Sequence, residues 1–322
     1  MKAVRFHEFG GPEVLKYEET ETPVILNGEL LVKVGASGVN FIDTYQRTGA
    51  YKVELPHIAG QEAAGEVIGV SDDVNGFDVG DHVAFTGTPF AYAEYMKVPA
   101  EKAVKLPPGV SDQEGAAILL QGMTAHYLAN STYPLQKGQT CLIHAAAGGV
   151  GLLLVQIAKM LGAQVIGTVS TEEKAELARS VGADEIILYT EKDFTSEVKR
   201  ITGGEGLPVV FDSVGKTTFE GSLNCLGHRG YMVLYGQSSG RVDPVDPQIL
   251  NAKGSLFLTR PSLNSYALSR EEIEWRANDL FSWVESGKMK IHIDGVFHLS
   301  EAGEAHTRLE GRKTTGKVVL IP

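Results

Sequence analysis

The spacing of apolar and polar residues divides the chain into three stretches. Up to Gln121 the pattern is mostly that of strands. β-favouring runs such as Leu30-Leu31-Val32-Lys33-Val34 and Ala64 to Val70 sit between clusters of Gly, Pro and Asp. Gly76 to Val83 reads as a turn entering a strand, and Pro107-Pro108-Gly109 closes the region. Beyond it, short apolar runs alternate with helical periods. Thr140 to His144, Gln164 to Val169, Glu185 to Tyr189, Val209 to Phe211, Tyr231 to Tyr235 and Ser255 to Leu258 are predicted strands. Val150 to Leu161, Thr171 to Val181 and Phe194 to Ile201 are predicted helices between the first four of them. This alternation predicts right-handed βαβ units, and six strands suit a complete doubly wound parallel sheet of the dinucleotide-binding kind. After Arg260 the alternation stops: a helix from Glu271 to Val284 is followed by short strands and a final run, Lys317 to Ile321. The expected class is α/β, with segments 1–121, 122–260 and 261–322. No repeats or low-complexity segments interrupt it.

Length and charge narrow the class. A chain of 322 residues, 43% hydrophobic and 21% charged, is that of a globular protein of about two domains. With 29 basic and 40 acidic residues the net charge is -11, which repels nucleic-acid phosphates and anionic lipid. Neither is an expected partner. Cys141 and Cys225 are the only cysteines, so no thiolate-built zinc site is available and a reducing compartment is the better fit. The charged start Met1-Lys2-Ala3-Val4-Arg5 does not resemble a secretory signal. The most apolar helix is interrupted by Gln156 and Lys159, and it is shorter than the ~20 residues a bilayer requires. A cytoplasmic protein is expected.

The most informative motif is Ala146-Ala147-Gly148-Gly149-Val150-Gly151, between a predicted strand and a predicted helix. It is the dinucleotide fingerprint with Ala at the first glycine position. Gly148 lets the backbone approach a pyrophosphate, Gly151 lets the helix lie close to the strand, and the helix N-terminus offers unpaired N–H groups. The second strand ends Thr168-Val169-Ser170-Thr171, without the carboxylate that holds an NAD ribose. Ser170 with Lys174, one helical turn on, suits a 2′-phosphate and favours NADPH. Glu172, Glu173 and Glu176 leave a second reading of Lys174, as part of a solvated helix face.

Together with Gly38 to Tyr45, Gly60 to Gly65, Phe211 to Gly215, Gly254 to Leu263 and the ending Leu320-Ile321-Pro322, the loop region Gly138 to Lys159 resembles the zinc-independent quinone oxidoreductases. These form the zeta-crystallin branch of the medium-chain dehydrogenase/reductase superfamily, and the bacterial members are the most similar. The resemblance implies a Rossmann domain inserted into a β-rich GroES-like catalytic domain, a homodimer, and a cleft between the domains for nicotinamide and substrate. It assigns cofactor contacts to Thr124, Gly148, Gly149, Val150, Ser170, Lys174, Tyr189, Ser213, Gln237, Phe257 and Arg312, with Arg312 sharing the 2′-phosphate.

Within that superfamily the zinc-dependent members carry Cys and His ligands where this chain has Asn40 and Gln61. Neither amide supplies a thiolate or an imidazole, so a zinc-polarised alcohol is not the expected substrate. Glu62 reads as a structural hydrogen-bonding residue. Electrophilic acceptors, quinones or conjugated carbonyls, need only placement and weak hydrogen bonding. Asn40 and Tyr45 are the candidates to supply these. Each has a plainer reading: Asn40 as the N-cap of a helix Phe41 to Gln46 with Asp43 at the capping-box spacing, Tyr45 as a half-buried aromatic. His144 reads as a packed histidine, and His57 is uncommitted. Quinone reduction by NADPH is the leading expectation. An alkenal or enone reductase, with Tyr45 as proton donor, and an NADPH-binding protein of low turnover are the alternatives.

Overall fold

The computed structural model describes residues 1–322. In chain order the strands are β1 (Lys2–Phe6), β2 (Lys16–Glu19), β3 (Glu29–Val39), β4 (His57–Ile58), β5 (Glu62–Val70), β6 (His82–Thr86), β7 (Tyr95–Pro99) and β8 (Ala103–Lys105). They continue as β9 (Thr140–Ile143), β10 (Gln164–Val169), β11 (Glu185–Leu188), β12 (Leu207–Asp212), β13 (Leu226–Leu234), β14 (Phe257–Thr259), β15 (Ile293–His298) and β16 (Lys317–Ile321). The helices are α1 (Phe41–Arg47), α2 (Asp112–Tyr127), α3 (Gly149–Met160), α4 (Glu172–Ser180), α5 (Phe194–Ile201), α6 (Phe219–Asn224), α7 (Gln248–Ala252), α8 (Arg270–Glu285) and α9 (Ala302–Glu310).

The chain forms two compact units, one of Met1–Met123 with Ala267–Pro322 and one of Thr124–Tyr266. In the second, six parallel strands lie in the order β11-β10-β9-β12-β13-β14. This is the doubly wound 3-2-1-4-5-6 order, with the reversal between β9 and β12. Its strands are apolar because helices cover them: Leu142, Ile166, Val210 and Met232 are fully buried and pack with Val198 of α5 and Leu223 of α6.

The first unit is built on a mostly antiparallel sheet, β15-β16-β3-β5-β6-β8, with β7 also on β3, and a three-stranded sheet β2-β1-β4. The C-terminal segment returns here. β16 pairs antiparallel with β3, setting Val318 opposite Val39 and Leu320 opposite Ser37. Pattern alone does not give that pairing. Two helices depart from the sequence expectation. The strand region ends sooner than Gln121, because α2 begins at Asp112, and α9 stands where short strands were expected. In α2, Ala116, Ala117, Ile118 and Leu119 are consecutive and all buried, so no polar stripe marks the helix. The buried face of α9 is Ala302, Ala305 and His306, which carries almost no apolar signal.

Candidate active site

In the parallel unit the predicted cofactor residues gather at the carboxyl ends of successive strands, where ligands of doubly wound sheets bind. Gly148 and Gly149 follow β9, Ser170 follows β10, Tyr189 follows β11, Ser213 follows β12, and Gln237 lies just beyond β13. Gly148 is the N-cap of α3 in extended conformation, and Val150 lies in the first turn. A Cβ on Gly151 would lie 2.2 Å from the Ala145 carbonyl oxygen, so the close packing of α3 on β9 requires glycine there. On α4 the Thr171 hydroxyl accepts the Lys174 N–H at 3.3 Å, which caps the helix and sets Lys174 in its first turn. Ser170 and Lys174 therefore lie on either side of one cap. Thr124 is buried near the end of α2.

One predicted residue of this unit lies away from these strand ends, and another belongs to the other unit. Phe257 pairs in register with Tyr231, two residues short of the strand end, and stacks on that ring at 4.4 Å. It therefore lies below the carboxyl edge, on the outermost strand. Arg312 belongs to the other unit, just after α9, with φ +55°.

His144 behaves as a packed histidine. Asp212 Oδ2 accepts the Ser222 hydroxyl at 2.8 Å, so that hydroxyl accepts from His144 Nε2 at 3.0 Å. Nδ1 then accepts from the Thr168 hydroxyl at 2.9 Å. Burial lowers the His144 pKa, and the neutral ring ties three strands to α6. Asp212 Oδ1 accepts the Val214 and Gly215 N–H groups and the Thr218 hydroxyl, which shapes the loop carrying Ser213. Both cysteines are free and buried, and burial pushes their thiols up to about 12.

In the first unit Asn40 stands at the N-cap of α1, and Asp43 Oδ2 accepts its backbone N–H at 2.8 Å. Its side chain is turned into the protein. Nδ2 donates to the Gly38 carbonyl at 3.1 Å and to Glu62 Oε2 at 2.9 Å, and Oδ1 accepts from Lys317 Nζ at 2.8 Å and Gln121 Nε2 at 3.3 Å. Both amide protons are engaged, so donation to a carbonyl would require breaking one of these bonds. The Asn40 amide is thus the hub of four hydrogen bonds. Tyr45, one turn along α1, lies between Phe41 at 6.2 Å and Tyr51 at 5.4 Å. Its neighbour Gln46 accepts from Gln61 Nε2 at 3.3 Å. His57 is packed between the rings of Phe6 and Phe90.

Behind α1 runs a buried polar chain that sequence reading does not find. Arg47 donates to both Glu310 oxygens at 2.8 and 2.9 Å and meets His306 Nδ1 at 3.2 Å. A guanidinium only donates, so Nδ1 accepts and Nε2 carries the proton towards the Tyr92 hydroxyl, 3.2 Å away. Tyr92 in turn donates to Asp43 Oδ2 at 2.9 Å. Burial, with the Arg47 charge beside it, lowers the His306 pKa to about 3 and keeps the ring neutral.

The arrangement does not fit a catalytic zinc. Asn40 and Gln61 are amides, and the one carboxylate between them, Glu62 Oε2, is already 2.5 Å from the Lys317 ammonium. A fixed cation thus occupies the carboxylate that a divalent ion would need. No group of three His, Cys, Asp or Glu side chains could hold a metal.

Two family models match the chain: an alcohol dehydrogenase GroES-like domain over residues 26–108 and a zinc-binding dehydrogenase over residues 149–283. A quinone oxidoreductase of Pseudomonas aeruginosa is 47% identical over 323 residues, covering 100% of this chain and 99% of the relative. A 2-haloacrylate reductase of a Burkholderia species is 42% identical, covering 99% and 98%. The crystal structure of Escherichia coli quinone oxidoreductase complexed with NADPH superposes with a TM-score of 0.98 at 44% identity, covering 100% of both chains. With full-length likeness of this degree, the doubly wound order of the inserted sheet, and amides at the zinc-ligand positions, the chain belongs to the zinc-independent quinone oxidoreductases of the medium-chain dehydrogenase/reductase superfamily.

Proposed function

We propose that the protein reduces quinones with NADPH and without a metal. The observation that carries this reading is the 47% identity over the whole chain to a quinone oxidoreductase. The strand-end cluster of Gly148, Gly149, Ser170 and Lys174 fits a phosphorylated dinucleotide. The bound cofactor supplies the hydride. The chain's own contribution is to hold the pyrophosphate at the α3 N-terminus, the 2′-phosphate at Ser170 and Lys174 with Arg312, and the acceptor beside Tyr45. Thr124, Tyr189, Ser213 and Gln237 complete the proposed cofactor contacts. The proposed assembly is a cytoplasmic homodimer. β14 is an edge strand, and Phe257 on it is 48% exposed, which is the kind of edge a second copy can extend.

Charge-assisted bonds to the 2′-phosphate contribute about 1.5–3 kcal/mol each. Lys174→Ala is therefore expected to weaken NADPH about tenfold or more and leave NADH nearly unchanged. Equal losses for both cofactors in a fluorescence titration would remove Lys174 from the phosphate site. Exhaustive chelation is expected to leave turnover intact. Activity lost to a chelator and restored by zinc would overturn the metal-free reading.

A second reading, reduction of a conjugated double bond, is favoured by the similarity to a 2-haloacrylate reductase. The two differ in their need for a proton. A reduced quinone delocalises its charge into the ring and takes protons from solvent, whereas an enone requires protonation at carbon. Tyr45→Phe is expected to cost a quinone no more than ~1–3 kcal/mol in kcat/KM, the value of one positioning contact, and an enone far more. NADPH affinity is expected to be unchanged. Abolition of quinone turnover while the quinone still binds would make the phenol a general acid.

A further inference from the structure

We propose that Lys317 and Glu62 are positioning residues: a buried ion pair that locks the Asn40 amide and, through it, the start of the helix that carries Tyr45. The inference rests on the reading of Tyr45 as an acceptor contact.

The pair is unusual in being sealed. The Lys317 side chain is 1% exposed and that of Glu62 0%, with Nζ 2.5 Å from Oε2. Such a pair is weak evidence for stability. Desolvating two charges cancels much of their attraction, and well-packed apolar side chains of the same volume often serve as well. The geometry supplies another task for it. An ammonium only donates, so the atom of Asn40 facing Lys317 must be Oδ1. A carboxylate only accepts, so the atom facing Glu62 must be Nδ2. Turning the amide over would set N–H against ammonium and C=O against carboxylate. The two charges therefore permit a single orientation of an otherwise near-symmetric group.

The surroundings are built to close on this clamp. β16 lies on β3 with Val318 opposite Val39, which brings Lys317 beside the residue that follows β3. A Cβ on Gly38 would lie 2.5 Å from Glu62 Oε2, 2.7 Å from Lys317 Cε and 2.2 Å from the Ala116 carbonyl oxygen, so only glycine admits the pair. Glu62 Oε1 is held in turn by the Leu120 N–H at 2.6 Å. Asn40 transmits the constraint. Its N–H and C=O bond Asp43 Oδ2 and the Asp43 N–H at 2.8 and 3.1 Å, forming the first turn of α1, with Tyr45 one turn further.

The test separates positioning from stability with three variants, assayed with NADPH and p-benzoquinone. Lys317→Met leaves Glu62 buried and unpaired, and a lowered unfolding midpoint is expected. Lys317→Met/Glu62→Gln removes both charges while the new amide oxygen still accepts the Leu120 N–H. Its midpoint is expected to recover, but the new Nε2 then faces Asn40 Nδ2, donor against donor, so the amide loses its fixed orientation and kcat/KM for the quinone is expected to stay at least tenfold down, with NADPH affinity unchanged. A double variant with wild-type kcat/KM overturns the proposal, because the pair then serves only the fold. A double variant as unstable as the single one also overturns it, because stability then accounts for the pair. Tyr45→Ala distinguishes the premise. If it too leaves kcat/KM for the quinone unchanged, the acceptor reading of Tyr45 fails, and this proposal with it. A loss in Tyr45→Ala beside an unaffected double variant refutes the clamp alone.

Discussion

Between pH 4 and pH 8 the wild-type chain is expected to lose about 4 kcal/mol of folding stability relative to Asp43→Asn. Burial holds the Asp43 carboxyl up at about 7, against an ordinary value of 3.8. Oδ2 accepts from Asn40 N–H and Tyr92, but Oδ1 is buried with no hydrogen-bond partner, so charge on that oxygen is uncompensated. Burial outweighs the Asn40 and Tyr92 hydrogen bonds and the Lys317 charge, all of which lower the pKa, and the Glu62 charge adds to its rise. Over the interval from about 4 to about 7 the native protein keeps a proton that the unfolded chain has released. The contribution of this group is thus fully present below the lower value and is lost as pH rises through the upper one. His306 stays neutral in the native protein but protonates below its ordinary 6.5 when unfolded, a contribution of opposite sign that the comparison with Asp43→Asn cancels. The carboxylates lowered by hydrogen bonds, such as Asp81 and Asp193, act on the acid side. Asp43→Asn carries a constant offset but no titration, so the readout is the difference in slope between two urea-unfolding series. Parallel series would show that Asp43 ionises as it does in the unfolded chain.

Much of the fold was legible because period and punctuation agree. Phe194 to Ile201 is amphipathic, starts at the Asp193 cap and is α5 with the same bounds, and Gln164 to Val169 is β10. α2 and α9 were not legible, for opposite reasons. One is apolar on every side at its centre, and the other buries alanine and histidine. Pattern reading also places long charged side chains outside. Arg47 and Lys317 are each 1% exposed, and only their partners, far along the chain, explain it.

The candidate residues of the two units differ in the same way. The dinucleotide loop could be read because its requirements are local, a matter of which backbone positions tolerate a Cβ. Asn40 as an N-cap was local too, and α1 starts after it. What its amide does was not local, because the group that orients it arrives from 277 residues away. The place of Phe257 was not local either, because the pairing of β14 with β13 decides at which end of the sheet it lies.

Two glycine substitutions three residues apart are expected to separate folding from binding. Beside Gly151 the space is closed: an added Cβ would meet the Ala145 carbonyl oxygen at 2.2 Å and Ala146 Cα and C at 2.9 Å. These are backbone atoms of the loop itself, which cannot rotate away as a side chain can. Gly151→Ala must push α3 off β9, at a cost of about 1–3 kcal/mol in stability. Displacing the helix also moves the N–H groups at its start. Two charge-assisted bonds to a pyrophosphate, at about 1.5–3 kcal/mol each, correspond to a loss of roughly a hundredfold or more in NADPH affinity. Beside Gly148 the nearest atom to an added Cβ is the Ala145 oxygen at 3.2 Å, which a small shift accommodates. Gly148 has φ -80°, open to any residue. Gly148→Ala is therefore expected to keep the wild-type unfolding midpoint within about 0.5 kcal/mol and still weaken NADPH, because its methyl group stands where the phosphates approach. Matched losses of stability in the two variants, or NADPH affinity intact in Gly148→Ala, would mean that the loop is a structural turn and that the pyrophosphate lies elsewhere.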